Sequence, residues 1–296
     1  MGSFKVIIFF LLIIPLLLYA EEDPIFNCFE YYKDGNMAKA EEWAKRAIKE
    51  KPENAYSYIC HGMVLYRKGN INNALNCFRE AEVKAVNLAQ LNLVYHWLGI
   101  LYEEVGDLAQ SLTYNLFYLE IAKGSGNMEA VGIALNNIAS LYERVGDINT
   151  AILYYEESLK YPRSAVSIAS TYNNLALIYS EKGNLKKAEE LIEKAIYYAE
   201  GSGIDEGIYR LNRGYILWKK RDLKKAEKEI NKGLDIVRRY GDKYWEAVAY
   251  KYLSLIYKDK GAMFLAKKYM KLSRDMAKKA GAYQLYRDAE RALKNM

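Results

Sequence analysis

The sequence predicts an all-α protein built from about seven consecutive helical hairpins. Three observations carry that prediction. Only four prolines, at 15, 24, 52 and 162, interrupt 296 residues rich in Ala, Leu, Lys, Glu and Tyr, so helices meet few breakers. The chain is 51% hydrophobic and 27% charged, the balance of a folded rather than a disordered protein. And one phrase recurs at fixed offsets: "LGILYEEVGDLAQS" at 98–111, "IASLYERVGDINTA" at 138–151 and "LALIYSEKGNLKKA" at 175–188.

Taken in order, the first element is "MGSFKVIIFFLLIIPLLLYA", residues 1–20. Its apolar run, Val6 to Tyr19, is 14 residues long, shorter than the roughly 20 a spanning helix needs. A short run after one lysine, ending in Ala20, reads as a signal peptide cleaved after Ala20, with an uncleaved membrane anchor as the other reading. Either places the protein outside the cytoplasm, periplasmic or anchored facing outward. An exported chain works in an oxidising compartment. There one disulfide among Cys28, Cys60 and Cys77 is open to it, and three small buried thiols in a helical core is the reading favoured. No CxxC occurs, which gives a zinc ribbon or thioredoxin motif no support.

The repeat comes next. With the glycine of "VGD" as anchor, Gly35, Gly69, Gly106, Gly146, Gly183, Arg221 and Gly261 fall in register, 34, 37, 40, 37, 38 and 40 residues apart. Seven residues before each anchor stands a small residue: Cys28, Gly62, Gly99, Ala139, Ala176, Gly214 and Ser254. Four before stands a bulky one, from Tyr31 to Tyr257, and five after stands Ala or Ser. Glycine closes the first helix because it adopts the left-handed conformation without steric penalty. The Asp or Asn that often follows suits a turn and the next helix start. Small residues on both helices let the backbones approach. Two departures stand out: Asn115 and Tyr118 replace an aromatic and a small residue in the third unit, and Arg221 replaces the anchor glycine in the sixth.

This pattern resembles the tetratricopeptide repeat, in a longer-period form of 37–40 residues with "NN" phrases in the first helix. The resemblance covers residues 21–281 as seven units, about 21–54, 55–91, 92–131, 132–168, 169–206, 207–246 and 247–281. It implies a right-handed superhelical solenoid in which stacked hairpins share one core. Residues 282–296, with an apolar stripe of Leu285, Ala289 and Leu293, read as a C-terminal capping helix.

By the same resemblance, the first helices line a concave groove that binds a peptide segment of a partner protein. Inward candidates are Asn136 and Asn137, Asn173 and Asn174, and Asn212, joined by Arg144, Tyr215 and Trp218. A carboxamide donates and accepts at once, so a row of them can hold a peptide backbone without demanding its sequence. The same asparagines can instead bond between neighbouring helices and fix the stacking. Trp218 and Tyr215 are either apolar anchors for a partner or core.

Enzyme chemistry finds little here. No GxxxxGK[ST], GxSxG or HExxH occurs, and His61 and His96 are the only histidines, so neither a catalytic residue, a metal site nor a cofactor is expected. The net charge of +6 conceals 24 basic against 12 acidic residues from 201 onward. A basic half can attract anionic lipid, acidic protein or nucleic acid, but solvated faces such as "KKRDLKKAEKE" are the simpler account, and export disfavours nucleic acid. The reading is a non-enzymatic scaffold of the bacterial cell envelope that binds a protein segment; the alternative is a cytosolic regulatory or sensor module.

Overall fold

The computed structural model describes residues 23–296; the apolar run 6–19 and the cleavage point after Ala20 lie outside them. Among the described residues there are fifteen α-helices and no strand. In the first of two compact units, which ends at Tyr161, these are α1 (Pro24–Lys33), α2 (Met37–Glu50), α3 (Ala55–Arg67), α4 (Ile71–Lys84), α5 (Leu88–Glu104), α6 (Leu108–Gly124), α7 (Met128–Arg144) and α8 (Ile148–Ser158). The second unit, Pro162–Met296, holds α9 (Ala165–Glu181), α10 (Leu185–Tyr198), α11 (Ile204–Lys219), α12 (Leu223–Arg239), α13 (Lys243–Asp259), α14 (Met263–Lys279) and α15 (Tyr283–Lys294). Within each unit every helix packs against the next, most heavily inside the pairs α1/α2 through α13/α14.

The recurring offsets have a direct structural cause. At the end of α7, Gly146 sits at φ +87°. Its N–H donates to Glu143 O at 3.0 Å, and the Asp147 N–H donates to Tyr142 O at 2.9 Å. This is a Schellman closure, and it occupies carbonyls that the helix leaves orphaned. The bulky residue four before the anchor is thus the acceptor of the closing bond; the same pairing joins Asp107 to Tyr102 and Asn184 to Tyr179. The Asp147 side chain then accepts from Thr150 N and starts α8, as Asp107 and Asn184 start α6 and α10. Arg221 takes the same left-handed turn at φ +66°, the one non-glycine residue with positive φ among those described.

The small residue seven before the anchor faces the residue nine after it. A Cβ on Gly62 would lie 2.6 Å from the Phe78 ring, one on Gly99 2.6 Å from the Asn115 carboxamide, and one on Gly214 2.3 Å from Ile230. Such distances leave no room for any side chain. Asn115 therefore occupies the site a ring fills in the second hairpin. It is almost completely buried, and its Nδ2 donates to Ser111 O at 2.9 Å. Tyr118, in a place where a small residue recurs, is buried with its ring 5.1 Å from that of His96.

One expectation is overturned. Cys28 on α1 and Cys60 on α3, both fully buried, form a disulfide, so they are not two of three free thiols. The bond ties the first helices of the first two hairpins inside a core of Ala40, Ala44 and Val64. Cys77 remains free, its sulfur 3.6 Å from His61 Nδ1. Burial pushes its thiol up to about 11, which leaves it uncharged and inert near neutral pH.

Candidate peptide-binding cleft

In the second unit the first helices α9, α11 and α13 lie side by side, and their shared face forms an open cleft of about 430 Å³. Three of the sequence-chosen residues, Asn173, Asn174 and Asn212, line it. They are not equivalent. Asn212 and Asn173 are buried, and Asn212 Nδ2 donates to Asn173 Oδ1 at 2.8 Å. Asn173 Nδ2 in turn points to Asn174 Oδ1 at 3.4 Å. The amides thus make a short chain from α11 to α9. Its inner members hold the helices together, and Asn174, half-buried, is the member that reaches the cleft surface. The inter-helix role weighed from the sequence falls to Asn173 and Asn212, and Asn174 stands where it is open to the cleft.

The cleft also contains side chains that the sequence reading missed: Tyr244, Trp245, Val248, Lys251 and Tyr252 of α13, and Leu285 of α15. A signal for them existed. Nine residues before the anchor stand Asn137, Asn174, Asn212 and Tyr252, so Tyr252 holds in the seventh hairpin the register that asparagine holds in the three before it. Lys251 is the one ionised residue lining the cleft, and no carboxylate lines it.

Tyr252 connects the cleft to an aromatic stack. Its ring lies 4.9 Å from Tyr215, whose ring lies 5.6 Å from Trp218. Burial raises the phenols of Tyr215 and Tyr252, and the neighbouring Glu181 carboxylate raises them further. The Tyr215 hydroxyl donates to Glu181 at 3.2 Å, and Trp218 Nε1 donates to Asp259 at 2.8 Å. Lys219 pairs with Glu181 at 2.9 Å. Tyr215 and Trp218 are thus half-buried, with their polar atoms committed to protein partners; neither lines the cleft, and Trp218 packs against the apolar core of the unit.

Asn136, Asn137 and Arg144 belong to the first unit. Asn137 Nδ2 donates to Asn115 Oδ1 at 3.1 Å and so bridges α7 to α6. Arg144 is exposed and pairs with Glu103 of α5 at 2.9 Å. These contacts join neighbouring helices. His96 is deprotonated more readily than usual because it is buried. Among the described residues, no three His, Cys, Asp or Glu side chains converge on a common point, and no helix is long and apolar enough to cross a membrane.

A chain of helical hairpins with an open cleft on its first helices is a repeat protein, and comparison with known proteins says of what kind. Tetratricopeptide-repeat family models match residues 90–164, 169–201 and 209–237. The uncharacterized protein ycf37 of Pyropia yezoensis is 26% identical over 160 residues, 52% of this chain and 82% of its own. Among solved structures, a tetratricopeptide repeat protein from Parabacteroides merdae matches with TM-score 0.62 at 18% identity, covering 92% of this chain and 99% of that one. The apo form of the quorum sensor NprR from B. thuringiensis matches with TM-score 0.69 at 15% identity, covering 92% and 86%. Tetratricopeptide repeats are thus present, and the fold is one these proteins share.

Proposed function

We propose that this protein is a non-enzymatic scaffold that binds a peptide segment of a partner protein in the α9–α11–α13 cleft, outside the cytoplasm. The observation that carries the reading is the composition of that cleft: a surface amide, Asn174, beside Trp245, Tyr252 and Lys251, with no carboxylate among them. An amide satisfies the backbone of an extended segment, and large rings supply contact area at low entropic cost. Lys251 favours an acidic group on the ligand. Tetratricopeptide repeats generally mediate protein–protein interaction, which agrees.

The location rests on two features, the short apolar run 6–19 and the buried Cys28–Cys60 disulfide. Structural disulfides persist in oxidising compartments and are rare in the cytosol. A cytosolic regulatory module, the alternative, leaves that disulfide exposed to reducing conditions.

The test is site-specific photocrosslinking in the host. A photoreactive residue at 174 should give adducts to one defined segment of a partner, and Trp245→Ala should remove them. A photoreactive residue at 224, on α12, is the control. Equal adduct patterns from both positions would end the proposal. Fractionation of the same cells, with N-terminal sequencing, tests the location.

A further inference from the structure

The second unit carries a surface that peptide binding does not use. Helix α14, "MFLAKKYMKLSRDMAKK", buries Ala266, Met270, Ser273 and Ala277 on one side. The opposite side is Phe264, Lys267, Lys268, Lys271, Asp275 and Lys278, all exposed, in the i, i+3, i+4, i+7 order of a single helical face. It runs about 21 Å at 1.5 Å per residue. Phe264 stands 81% exposed and, with Lys267, Lys268, Lys271 and Leu272, lines an open depression.

Ordinarily such lysines are neutralised by acids on the same or the next helix. At the ends of α13 and α11 they are: Lys260 pairs with Glu227, and Lys220 with Glu189. On α14 they are not. The helix holds six basic residues and one acid, and that acid, Asp275, is taken at 2.8 Å by Arg274. None of Lys267, Lys268, Lys271, Lys278 and Lys279 makes an ion pair among the described contacts. An exposed phenylalanine thus heads a lysine stripe that no acid neutralises.

We infer that this face of α14 docks on an anionic lipid surface, with Phe264 inserted among the acyl chains and the lysines at headgroup level. Three features favour lipid over nucleic acid. The cations are mainly lysines, point charges on long apolar stems that lie along a membrane surface with the ammonium in the headgroups. Arginine, whose planar fork recognises phosphate bidentately, occurs once on α14 and is already paired. And the aromatic ring stands at the edge of the stripe with no stacking partner among the ring pairs of α14, which suits insertion. The proposal is independent of what the cleft binds.

The full chain is tested on vesicles of phosphatidylcholine alone or with 30 mol% phosphatidylglycerol. Because residues 6–19 can attach to lipid whatever its charge, the readout is placed at the site. Phe264→Trp reports insertion by quenching from brominated acyl chains, read as the difference from the wild-type chain. Quenching is expected in phosphatidylglycerol vesicles, weaker in phosphatidylcholine, and lost in 0.5 M salt. At about 1 kcal/mol per surface lysine, Lys267→Glu with Lys268→Glu and Lys271→Glu should lower the charge-dependent affinity by a hundredfold or more. The residues are exposed, so the variant should melt as the wild type does; if it does not, three Lys→Gln changes replace it. Equal quenching in both lipids, or charge-dependent binding that survives in the lysine variants, overturns the proposal. So does binding of a 20-nucleotide single strand that depends on the same lysines while vesicles do not bind.

Discussion

Asn212 of α11 donates from Nδ2 to Oδ1 of Asn173 on α9 at 2.8 Å, across 39 residues of sequence and with both side chains buried. An amide pair in that position bonds one hairpin to the next where an apolar pair would only touch. Removing one partner strands the other without water, which costs about 1–3 kcal/mol. Asn212→Ala should therefore lower the unfolding free energy by about 2 kcal/mol, read as a lower urea midpoint at unchanged slope. Asn174→Ala should cost under about 1 kcal/mol, because Asn174 is half-exposed and water replaces what is lost. Equal losses would mean that the two asparagines share one role.

Arg221 offers a test in the opposite direction. A side chain in the left-handed region costs about 1–2 kcal/mol, and Arg221 is held there at φ +66°. Its ion pair with Asp259 at 2.7 Å is exposed on the arginine side and contributes at most about 1 kcal/mol. Arg221→Gly should raise the melting temperature, more clearly at 0.5 M salt, where the ion pair is screened. Gly146→Ala should do the reverse by about 1–2 kcal/mol, because it introduces at φ +87° the strain that Arg221 carries.

These two cases mark what was readable in advance. The all-helical fold and the hairpin closures were legible because the need for a left-handed residue is local: each anchor answers to its own six-residue bond pattern. The asparagine pairing was not, because which of two adjacent amides turns inward depends on the rotation of one helix against another. Asn173 and Asn174 differ by a single residue, yet one is core and one is surface. Tyr252 shares the register of Asn212, but its ring is a different residue type, so position in the hairpin alone marks it. Cys28 and Cys60 lie 32 residues apart, close to one repeat, which places them on adjacent first helices; composition alone could not separate that arrangement from ordinary burial.

The disulfide predicts a thiol count. Denatured, unreduced protein should react at one cysteine per chain, Cys77, and at all three after reduction. Closing a loop of that length stabilises by about 3–4 kcal/mol through the unfolded chain. Reductant should accordingly lower the stability of the first unit. Cys77→Ser should leave both the disulfide and the response to reductant intact. Three reactive thiols before reduction would remove the structural argument for an oxidising location.

Acid should weaken the second unit at two buried glutamates. Glu229 and Glu246 are each 6% exposed. For both, burial alone would raise the carboxyl, but hydrogen bonds from Lys232 and from Lys243 with Arg238, and the charges of the neighbouring cations, outweigh it and hold each below the ordinary value of 4.5. Glu229 takes Lys232 at 2.8 Å and Arg210 at 3.3 Å; Glu246 takes Lys243 at 2.9 Å and Arg238 at 3.0 Å. A carboxyl lowered in the folded state binds fewer protons there than in the unfolded chain. Its stabilisation is complete above the unfolded value and disappears as pH falls through the folded one. Melting temperature should thus be flat from neutral pH down to about 5 and fall steadily below 4.5. Glu229→Gln with Glu246→Gln should lower the unfolding free energy at neutral pH by several kcal/mol, each lost charged hydrogen bond costing about 1.5–3 kcal/mol. The same variant should flatten the acid limb, since two of the groups that generate it no longer titrate. An acid limb of unchanged steepness in that variant would place the acid sensitivity in other carboxylates, Glu41 first among them, which Lys45 and Lys68 hold down at about 2.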